Sequence, residues 1–341
     1  MKILSNLVKR FKRLSRRKKI LVIFVTAAII AAIAALVINL LNKDEAQQPT
    51  EPQKFYSQIT GEEVSEDISN RPILGVMIEN SAEARPQTGL DSAGIVFEAV
   101  TEGGITRYLA LYQEDMPKEV GPVRSVRPHF VSWLYGLDAS VAHVGGSYKA
   151  LQLVDELHAK TLTQFKYTEP YRRISERAAP HNVYASTKAL RDLQEELKHK
   201  KAQFNDIPRS DDSPAEMPDA KNIAINFSSA TYAAEFRYNK KTNSYTRYLA
   251  GAPHIDAATG KPITVKNVIV IQVKGHNSDT IKAVGNGEAW LFKNGTVQKI
   301  HWVKAGDSER IKFVDDTKNE VSLNRGDSWI AALTENRKPQ F

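Results

Sequence analysis

The stretch ILVIFVTAAIIAAIAALVINLL, residues 20–41, decides the topology of the chain. It contains no charged side chain, and only Thr26 and Asn39 are polar. A helix of this length extends roughly 33 Å, which suffices to cross a hydrocarbon core of roughly 30 Å. A cleaved secretory signal is the alternative, but its apolar core is usually about 7–15 residues long and ends in small residues. The stretch therefore predicts an uncleaved transmembrane helix.

The charges on either side of this stretch predict its orientation. Residues 1–19 carry nine Lys and Arg side chains and no acid. The positive-inside rule places such a segment in the cytoplasm, and the rest of a single-pass chain outside the cell membrane. Apolar residues recur at helical spacing among these cations, which is typical of a basic amphipathic helix on the inner leaflet. A solvated tail is the alternative for residues 1–19.

The overall charge does not indicate a nucleic-acid partner. The chain of 341 residues has 47 Lys and Arg against 39 Asp and Glu, a formal net charge of +8. Without the first 19 residues the balance is 38 basic against 39 acidic side chains. The absence of cysteine excludes disulfides, Cys-ligated metals, thiol catalysis and a lipid-modified N-terminal Cys. No cofactor and no metal site are predicted.

Breaks in composition predict how the exported part is organised. Residues 42–57 are polar and indicate a flexible stalk, and the acidic, proline-containing residues 206–221 indicate a linker. Strand-like runs alternate with amphipathic helices in residues 58–205, which predicts an α/β or α+β domain. Residues 222–335 show short β-rich runs separated by turns and predict a mainly antiparallel β domain.

The predicted elements follow from apolar periodicity. In the first exported domain they are strands 73–78, 95–100, 108–112 and 140–144 and helices 128–134, 148–158 and 187–200, the last capped by Ser186. In the second they are strands 223–227, 244–249, 267–273, 288–292, 297–303 and 328–333.

A motif of two arginines and a serine opens the first of these helices. Arg124, Ser125 and Arg127 place two guanidinium groups and a hydroxyl at a helix N-terminus. This arrangement suits a phosphate, pyrophosphate or carboxylate, because free backbone N–H groups add to the fork of each arginine. The alternative is structural: the arginines would pair with Glu98 and Glu102.

A glycine pair marks a predicted turn from strand to helix. His143 is followed by Gly145, Gly146 and Ser147. Such glycines allow the backbone to approach a ligand closely, and the serine could donate to an anion. A tight turn and a helix cap would explain the same residues.

Proton transfer has three candidate residues. Glu98 and Glu102 would point to the same face of an extended chain, and His181 with Asn182 lies in a loop after a basic stretch. In this interpretation Arg107 and the arginines of the 124–127 motif hold an anionic group. A hairpin turn at Glu102 and a solvent-facing imidazole at His181 are the structural alternatives. His254 and Asp256 could form a secondary site, although turn residues explain them as well.

The whole motif series resembles a family. Its N-terminal part has Ala84-Arg85-Pro86-Gln87, Ile95-Val96-Phe97-Glu98, Glu102-Gly103-Gly104-Ile105-Thr106-Arg107, Gly121-Pro122-Val123-Arg124-Ser125-Val126-Arg127 and Ala179-Pro180-His181-Asn182, and its C-terminal part has Tyr245-Thr246-Arg247-Tyr248, His254-x-Asp256 and Asn267-Val268. In this order they are similar to the bacterial YerB-like family, whose members are described as lipoproteins with a domain of unknown function.

The resemblance implies a location in the bacterial cell envelope and no particular reaction. Two departures matter. The lipobox cysteine of lipid-anchored members is missing, so residues 20–41 take the place of the lipid. Gly94 stands where an Asp is expected, so no role of that carboxylate is transferred.

Two functional hypotheses follow, and the sequence leaves open whether the protein is an enzyme. The first is a membrane-anchored extracytoplasmic binding or regulatory module linked to cell-wall assembly. Its expected partners are the cytoplasmic membrane through residues 20–41 and a cell-wall glycan, a lipid-linked phosphate or an envelope protein. The second is an envelope hydrolase or transferase that acts on an anionic glycan or a lipid-linked phosphate.

Overall fold

The structure is a computed structural model that describes residues 2–45, 53–114, 116–334 and 337–341. The chain forms two compact units, Met1–Gln53 and Lys54–Phe341. The predicted stalk, residues 42–57, lies partly outside the described residues. Of its described part, Phe55–Tyr56 is a strand of the second unit.

The first unit consists of two helices, α1 (Lys2–Lys12) and α2 (Arg16–Glu45). The predicted apolar helix is confirmed, since residues 20–41 lie within α2. The segment Arg16–Leu40 has a mean hydropathy of 3.1 in its most apolar window, and none of that window is buried within the protein. Long helices inside soluble proteins bury an apolar face. α2 leaves its apolar side chains exposed on all sides.

The second unit has four α-helices in its described part, all before residue 197. They are α3 (Glu66–Asn70), α4 (Pro128–Tyr135), α5 (Tyr148–Glu156) and α6 (Thr187–Glu196). The hydroxyl of Ser147 accepts a hydrogen bond from Ala150 N at the start of α5, and the hydroxyl of Ser186 accepts one from Ala189 N at the start of α6. Each cap satisfies a backbone N–H that has no partner within its helix.

The strands follow the sequence pattern closely. In the N-terminal half they are β1 (Phe55–Tyr56), β2 (Glu63–Val64), β3 (Leu74–Glu79), β4 (Ile95–Val100), β5 (Thr106–Tyr112), β6 (Glu119–Val120), β7 (Ser140–His143), β8 (Thr161–Thr163), β9 (Tyr171–Arg173), β10 (Val183–Ser186) and β11 (Arg209–Ser210). In the C-terminal half they are β12 (Asn222–Asn226), β13 (Ala233–Asn239), β14 (Ser244–Leu249), β15 (Ala252–Pro253), β16 (Thr264–Val265), β17 (Asn267–Val273), β18 (Gly285–Lys293), β19 (Thr296–Lys304), β20 (Lys312–Val314), β21 (Leu323–Asn324) and β22 (Ser328–Thr334).

One large mixed sheet organises the second unit. Among the described residues it has ten strands in the order β20-β19-β18-β17-β22-β4-β5-β3-β7-β8. β22 lies parallel to both β17 and β4, so strands from both halves of the chain share one sheet. The predicted domains 58–205 and 222–335 thus contribute strands to one sheet within one compact unit, and the division between them stays a prediction. The predicted linker, residues 206–221, contributes β11, which pairs in parallel with β21.

A smaller antiparallel sheet covers part of the large one. It has the order β12-β13-β14-β15, with β16 paired to β14. Phe236 of β13 packs against Trp329 of β22 with ring centroids 5.9 Å apart, and Tyr108 of β5 contacts the same indole at 5.4 Å. β13 is the one long strand that the sequence analysis missed. Its side chains are mostly exposed or half-buried, with only Ala234 and Phe236 buried, so its apolar signal is weak.

The parallel strands at one end of the large sheet determine where a site can form. β3, β7 and β8 run parallel and end at Glu79, His143 and Thr163. β5 lies antiparallel to β3 and places Arg107 opposite Glu79. In open α/β sheets, ligands bind beyond the carboxyl ends of parallel strands. This edge of the sheet therefore holds the end of β3, the beginning of β5 and the turn into α5.

Candidate functional site

The carboxylate of Glu79 lies at the centre of the candidate site. Only 3% of Glu79 is exposed. Its Oε1 lies 3.2 Å from Arg124 Nε, and its Oε2 lies 3.0 Å from His181 Nδ1. Despite these short distances, neither Glu79 Oε2 nor Arg124 Nε makes a hydrogen bond of good geometry with any described residue. The carboxylate is thus surrounded by cationic and polar groups without being firmly held by them.

Arg107 is the second buried charge of this region. It is 6% exposed, and its Nη1 donates to the carbonyl of Ser125 at 2.8 Å. Within the part of the chain that the structure describes, its buried Nε has no hydrogen-bond partner. Burial, and then the nearby charge of Arg127, lower the pKa of Arg107 to about 9. Burying a charge with few partners is unfavourable, so this guanidinium is suited to receive an anion.

His181, in the loop before β10, is the third side chain next to Glu79. Its Nδ1 lies 3.1 Å from the hydroxyl of Ser81 as well as near Glu79, and 22% of its side chain is exposed. Arg124 is similarly half-accessible, with 24% of its side chain exposed. We refer to Glu79, Arg107, Arg124 and His181 as the Glu79 cluster. It has two guanidinium groups against one carboxylate.

The neighbouring Arg127 is fully engaged. Its Nε and Nη2 donate to the two oxygens of Glu102 at 2.5 and 2.8 Å, and its Nη1 donates to the carbonyl of Val126. Glu102 also accepts a hydrogen bond from the Ser278 hydroxyl at 2.8 Å. Partial burial alone would raise the pKa of Glu102, but Arg127 and Ser278 outweigh it and lower the pKa to about 2. This pair corresponds to the structural alternative from the sequence.

Glu98, the other candidate acid, is fully enclosed. Its Oε1 accepts from Thr106 Oγ1 at 2.9 Å, and its Oε2 accepts from Arg247 Nη2 at 2.8 Å and Trp329 Nε1 at 3.0 Å. Both members of the Glu98–Arg247 ion pair have no exposed side-chain surface. Burial alone would lower the pKa of Arg247, but the charge of Glu98, the neighbouring Tyr108 and the hydrogen bonds to both together outweigh it, and the pKa is raised. In this conformation Glu98 is not accessible to a substrate.

The same network continues through His254. Arg247 Nη1 lies 2.6 Å from His254 Nδ1, and since arginine only donates, Nδ1 accepts. His254 Nε2 then donates to Gln87 Oε1 at 2.8 Å. Burial, and then the charge of Arg247, lower the pKa of His254 well below its usual value, in agreement with a neutral ring. We refer to Glu98, Thr106, Arg247, His254, Gln87 and Trp329 as the Glu98 cluster.

The glycine pair has local structural partners. His143 is 1% exposed, and its Nδ1 and Nε2 lie 2.7 Å from the Gly145 carbonyl and 2.6 Å from Thr161 Oγ1. Burial lowers the pKa of His143. Gly145 has φ +65°, in the left-handed region that favours glycine. Ser147 caps α5, so each of these residues has a role in the fold.

The remaining predicted residues lie around the Glu79 cluster. Asn182 is buried, and its Oδ1 accepts from Arg173 Nη1 at 2.7 Å while its Nδ2 donates to the Ile174 carbonyl at 3.1 Å. These bonds fix the loop that presents His181. Ser125 contributes its carbonyl to Arg107. Asp256 accepts from Ala258 N, as turn residues do, and also from Asp91 N, which lies 165 positions away in the chain.

The structure thus brings together three of the predicted residues, Arg107, Arg124 and His181, and adds Glu79, which the sequence analysis missed. Glu79 ends a strand in the run Leu74–Glu79, and a carboxylate directly after a buried strand was the available signal. Among the described residues, no group of three or more His, Asp or Glu side chains is arranged to hold a metal ion.

The fold and these clusters define a class of protein: an apolar N-terminal helix followed by a mixed-sheet unit with two buried carboxylate–arginine clusters. Residues 59–202 match the N-terminal domain, and residues 223–330 the C-terminal domain, of a protein family of unknown function, DUF3048. The chain belongs to this family, and the predicted YerB-like resemblance is confirmed.

Two comparisons support this assignment. The chain is 30% identical over 318 residues to "Putative lipoprotein YerB" of Bacillus subtilis (strain 168), which covers 90% of this chain and 94% of that protein. It is also similar to the crystal structure of YerB protein from Bacillus subtilis, with a TM-score of 0.74 and 29% identity. That match covers 82% of this chain and 97% of the crystallised chain.

Proposed function

We propose that this protein is a single-pass, membrane-anchored extracytoplasmic module whose second unit binds an anionic ligand at the Glu79 cluster. The observation that carries the binding proposal is Arg107. It is a guanidinium with 6% exposure that makes one hydrogen bond among the described residues, none of which accepts from its Nε. A bound carboxylate or phosphate would supply an acceptor for this group and a further negative charge beside it.

The contacts favour binding over catalysis. The enzyme hypothesis requires Glu98 or Glu102 as a proton donor or acceptor. Glu98 is enclosed against Arg247 with no exposed side-chain surface, and both oxygens of Glu102 accept from Arg127. A general acid or base must reach the proton that it transfers. Glu98 does not meet this requirement in the structure. Glu102 is more than half exposed. Partial burial would raise its pKa, but its pair with Arg127 and its hydrogen bond from Ser278 lower the pKa to about 2, which makes it a poor proton carrier near neutral pH. The Glu79 cluster keeps accessible surface at Arg124 and His181.

Titration calorimetry of the full chain in detergent micelles, with inorganic phosphate and with acetate, tests the binding proposal. We expect at least one anion to bind, and Arg124→Gln to weaken it at least tenfold. Arg172→Gln is the matched control, because Arg172 pairs with Glu119 at the surface and has 61% of its side chain exposed. Arg107→Met provides a second test at the buried arginine. No binding of either anion, or equal binding by Arg124→Gln and Arg172→Gln, would refute the proposal.

The anchor is supported by three observations. Residues 20–40 of α2 are apolar and exposed, nine cations precede residue 20, and the similar protein of Bacillus subtilis carries the name "Putative lipoprotein YerB". The chain has no cysteine, so a single cysteine introduced by substitution is the only thiol that a maleimide can label. Its labelling shows on which side of the membrane that position lies. We expect an impermeant maleimide to label Thr259→Cys in intact protoplasts, and Asn6→Cys only after permeabilisation. Labelling of both variants, or of Asn6→Cys alone, in intact protoplasts contradicts this orientation.

A further inference from the structure

Three exposed apolar side chains surround the glycine turn. Tyr148 is 82% exposed, Phe165 is 78% exposed and Leu151 is 39% exposed. Tyr148 and Leu151 are three residues apart on α5 and so share a face of the helix. We refer to these three residues as the aromatic shelf. Large apolar side chains that cluster at the surface mark interaction sites more often than isolated ones do.

Two of the three shelf side chains, Phe165 and Leu151, pack on the glycine pair. A Cβ at Gly145 would lie 3.0 Å from a ring carbon of Phe165, and a Cβ at Gly146 would lie 2.9 Å from Leu151 Cδ2. The side chains of Phe165 and Leu151 therefore lie directly over the glycine backbone from its two sides. Gly146 does not have a positive φ, so the turn alone does not require a glycine at this position. The close packing of Leu151 gives a separate reason for one.

The shelf lies beside the segment that carries the arginines. Val144 N donates to the carbonyl of Arg124 at 3.1 Å, and Val126 N donates to the carbonyl of Gly145 at 3.0 Å. The segments 124–126 and 144–146 thus run side by side. β3, β7 and β8 end at the same edge of the sheet, so the end of β3 that carries Glu79 and the turn that carries the glycine pair lie at that edge.

We propose that this edge of the sheet binds a glycan that carries a carboxylate or a phosphate. A sugar ring would lie on Tyr148 and Phe165, and the anionic group would lie at Arg107 and Arg124. This inference rests on the anion site of the proposed function and names its ligand class. The negative face of an aromatic ring attracts the C–H groups on the apolar side of a sugar ring. A guanidinium pair next to such rings selects for a sugar that also bears an anion.

The size of the shelf argues against a protein partner. A stable protein interface buries about 800 Å² on each side. Three side chains next to a charged cluster offer a much smaller apolar area, of the dimension of one or two sugar rings. The combination of flat aromatic rings with a few convergent polar groups is typical of small-ligand sites.

Calorimetry of the full chain in detergent micelles tests the inference with three probes. They are a tetrasaccharide of alternating N-acetylglucosamine and N-acetylmuramic acid, whose lactyl groups carry carboxylates, the neutral chitotetraose, and inorganic phosphate. We expect the charged tetrasaccharide to bind at least tenfold more tightly than either other probe. Tyr148→Ala and Phe165→Ala should each weaken the charged tetrasaccharide about tenfold and leave phosphate binding unchanged. Phe341→Ala, which removes a 55% exposed aromatic that packs on Phe292, is the control and should change neither.

The outcomes separate this inference from the proposed function. If phosphate binds and both shelf variants bind the tetrasaccharide like the unmodified chain, the glycan inference is wrong and the anion site stands. Chitotetraose binding as tightly as the charged tetrasaccharide would also overturn the inference. If none of the probes binds, both proposals fail. If the shelf variants lose binding of a Leu- and Phe-rich decapeptide but not of the tetrasaccharide, the shelf belongs to a protein partner.

Discussion

Two buried glutamates on strands of the same sheet are held in opposite ways. Both oxygens of Glu98 accept hydrogen bonds, from Thr106, Arg247 and Trp329, and no side-chain surface is exposed. Glu79 is 3% exposed, yet its Oε2 has no hydrogen bond of good geometry although His181 lies 3.0 Å away.

The difference separates scaffold from site. In the Glu98 cluster both carboxylate oxygens are bonded and the charge of Arg247 is neutralised by Glu98, although the buried Nε of Arg247 has no partner among the described residues. Such a charge-balanced network fixes one arrangement of the core. An incompletely satisfied cluster keeps charges that a ligand can complete. The Glu98 cluster also joins the two halves of the chain, since Glu98 lies on β4 and Arg247 on β14. We therefore expect the two clusters to respond differently to substitution.

The largest effect is expected for Glu98→Gln. The substitution leaves the guanidinium of Arg247 buried without a counter-charge, and breaking a buried pair in this way lowers the free energy of unfolding by about 3–5 kcal/mol. Urea unfolding of the full chain in detergent, followed by tryptophan emission, measures it. All four tryptophans lie in the second unit, so α2 does not contribute to the signal.

Glu119→Gln serves as the control for the Glu98 prediction. Glu119 pairs with Arg172 at the surface, where an ion pair contributes less than about 1 kcal/mol. If Glu98→Gln lowers the free energy of unfolding by no more than this control does, the Glu98 cluster does not stabilise the fold as we describe.

A smaller effect on stability is expected for Arg107→Met. The variant loses one hydrogen bond to the carbonyl of Ser125 but also removes a poorly solvated charge. We expect the free energy of unfolding to change by less than about 1.5 kcal/mol in either direction, while anion binding is lost. Urea unfolding and calorimetry on the same preparation measure both.

Arg247→Met is the matched variant in the Glu98 cluster. It leaves Glu98 buried as an unpaired carboxylate and should be destabilised by several kcal/mol, about 3–5. Equal losses of stability for Arg107→Met and Arg247→Met would show that the Glu79 cluster is scaffold as well.

The contrast between the clusters also shows what the sequence could predict. Local patterns placed β4, β14 and β17 at their observed bounds, because apolar runs and turn residues act over a few neighbours. The arginine and histidine motifs predicted Arg107, Arg124 and His181 as site residues. The structure groups these three side chains around Glu79, and their role in binding stays a prediction.

The sequence could not predict which charged side chains form ion pairs across the fold. Glu98 and Arg247 are 149 positions apart and meet because the small sheet, which carries Arg247 on β14, packs against the large sheet, which carries Glu98 on β4. The sequence offered Arg124 and Arg127 as partners for Glu98 and Glu102, and only the pair of Arg127 with Glu102 forms. Glu79 was missed because its partners come from three separate segments, none of which is near it in the chain.

The smallest change in the free energy of unfolding is expected for Glu102→Gln, and the size of this change should depend on pH. The pKa of Glu102 is lowered to about 2, below its usual 4.5, so its ion pair contributes fully above pH 4.5 and is lost as the pH falls toward 2. More than half of the Glu102 side chain is exposed, so solvent screening limits the contribution to at most about 1 kcal/mol. Urea unfolding at pH 6 and pH 3.5 should show a difference between the unmodified chain and Glu102→Gln that shrinks as the pH falls. A difference that is independent of pH would mean that the charge of Glu102 does not stabilise the fold through Arg127. Arg127 would then be available to the anion beside Arg124, and the Glu79 cluster would extend to a third guanidinium.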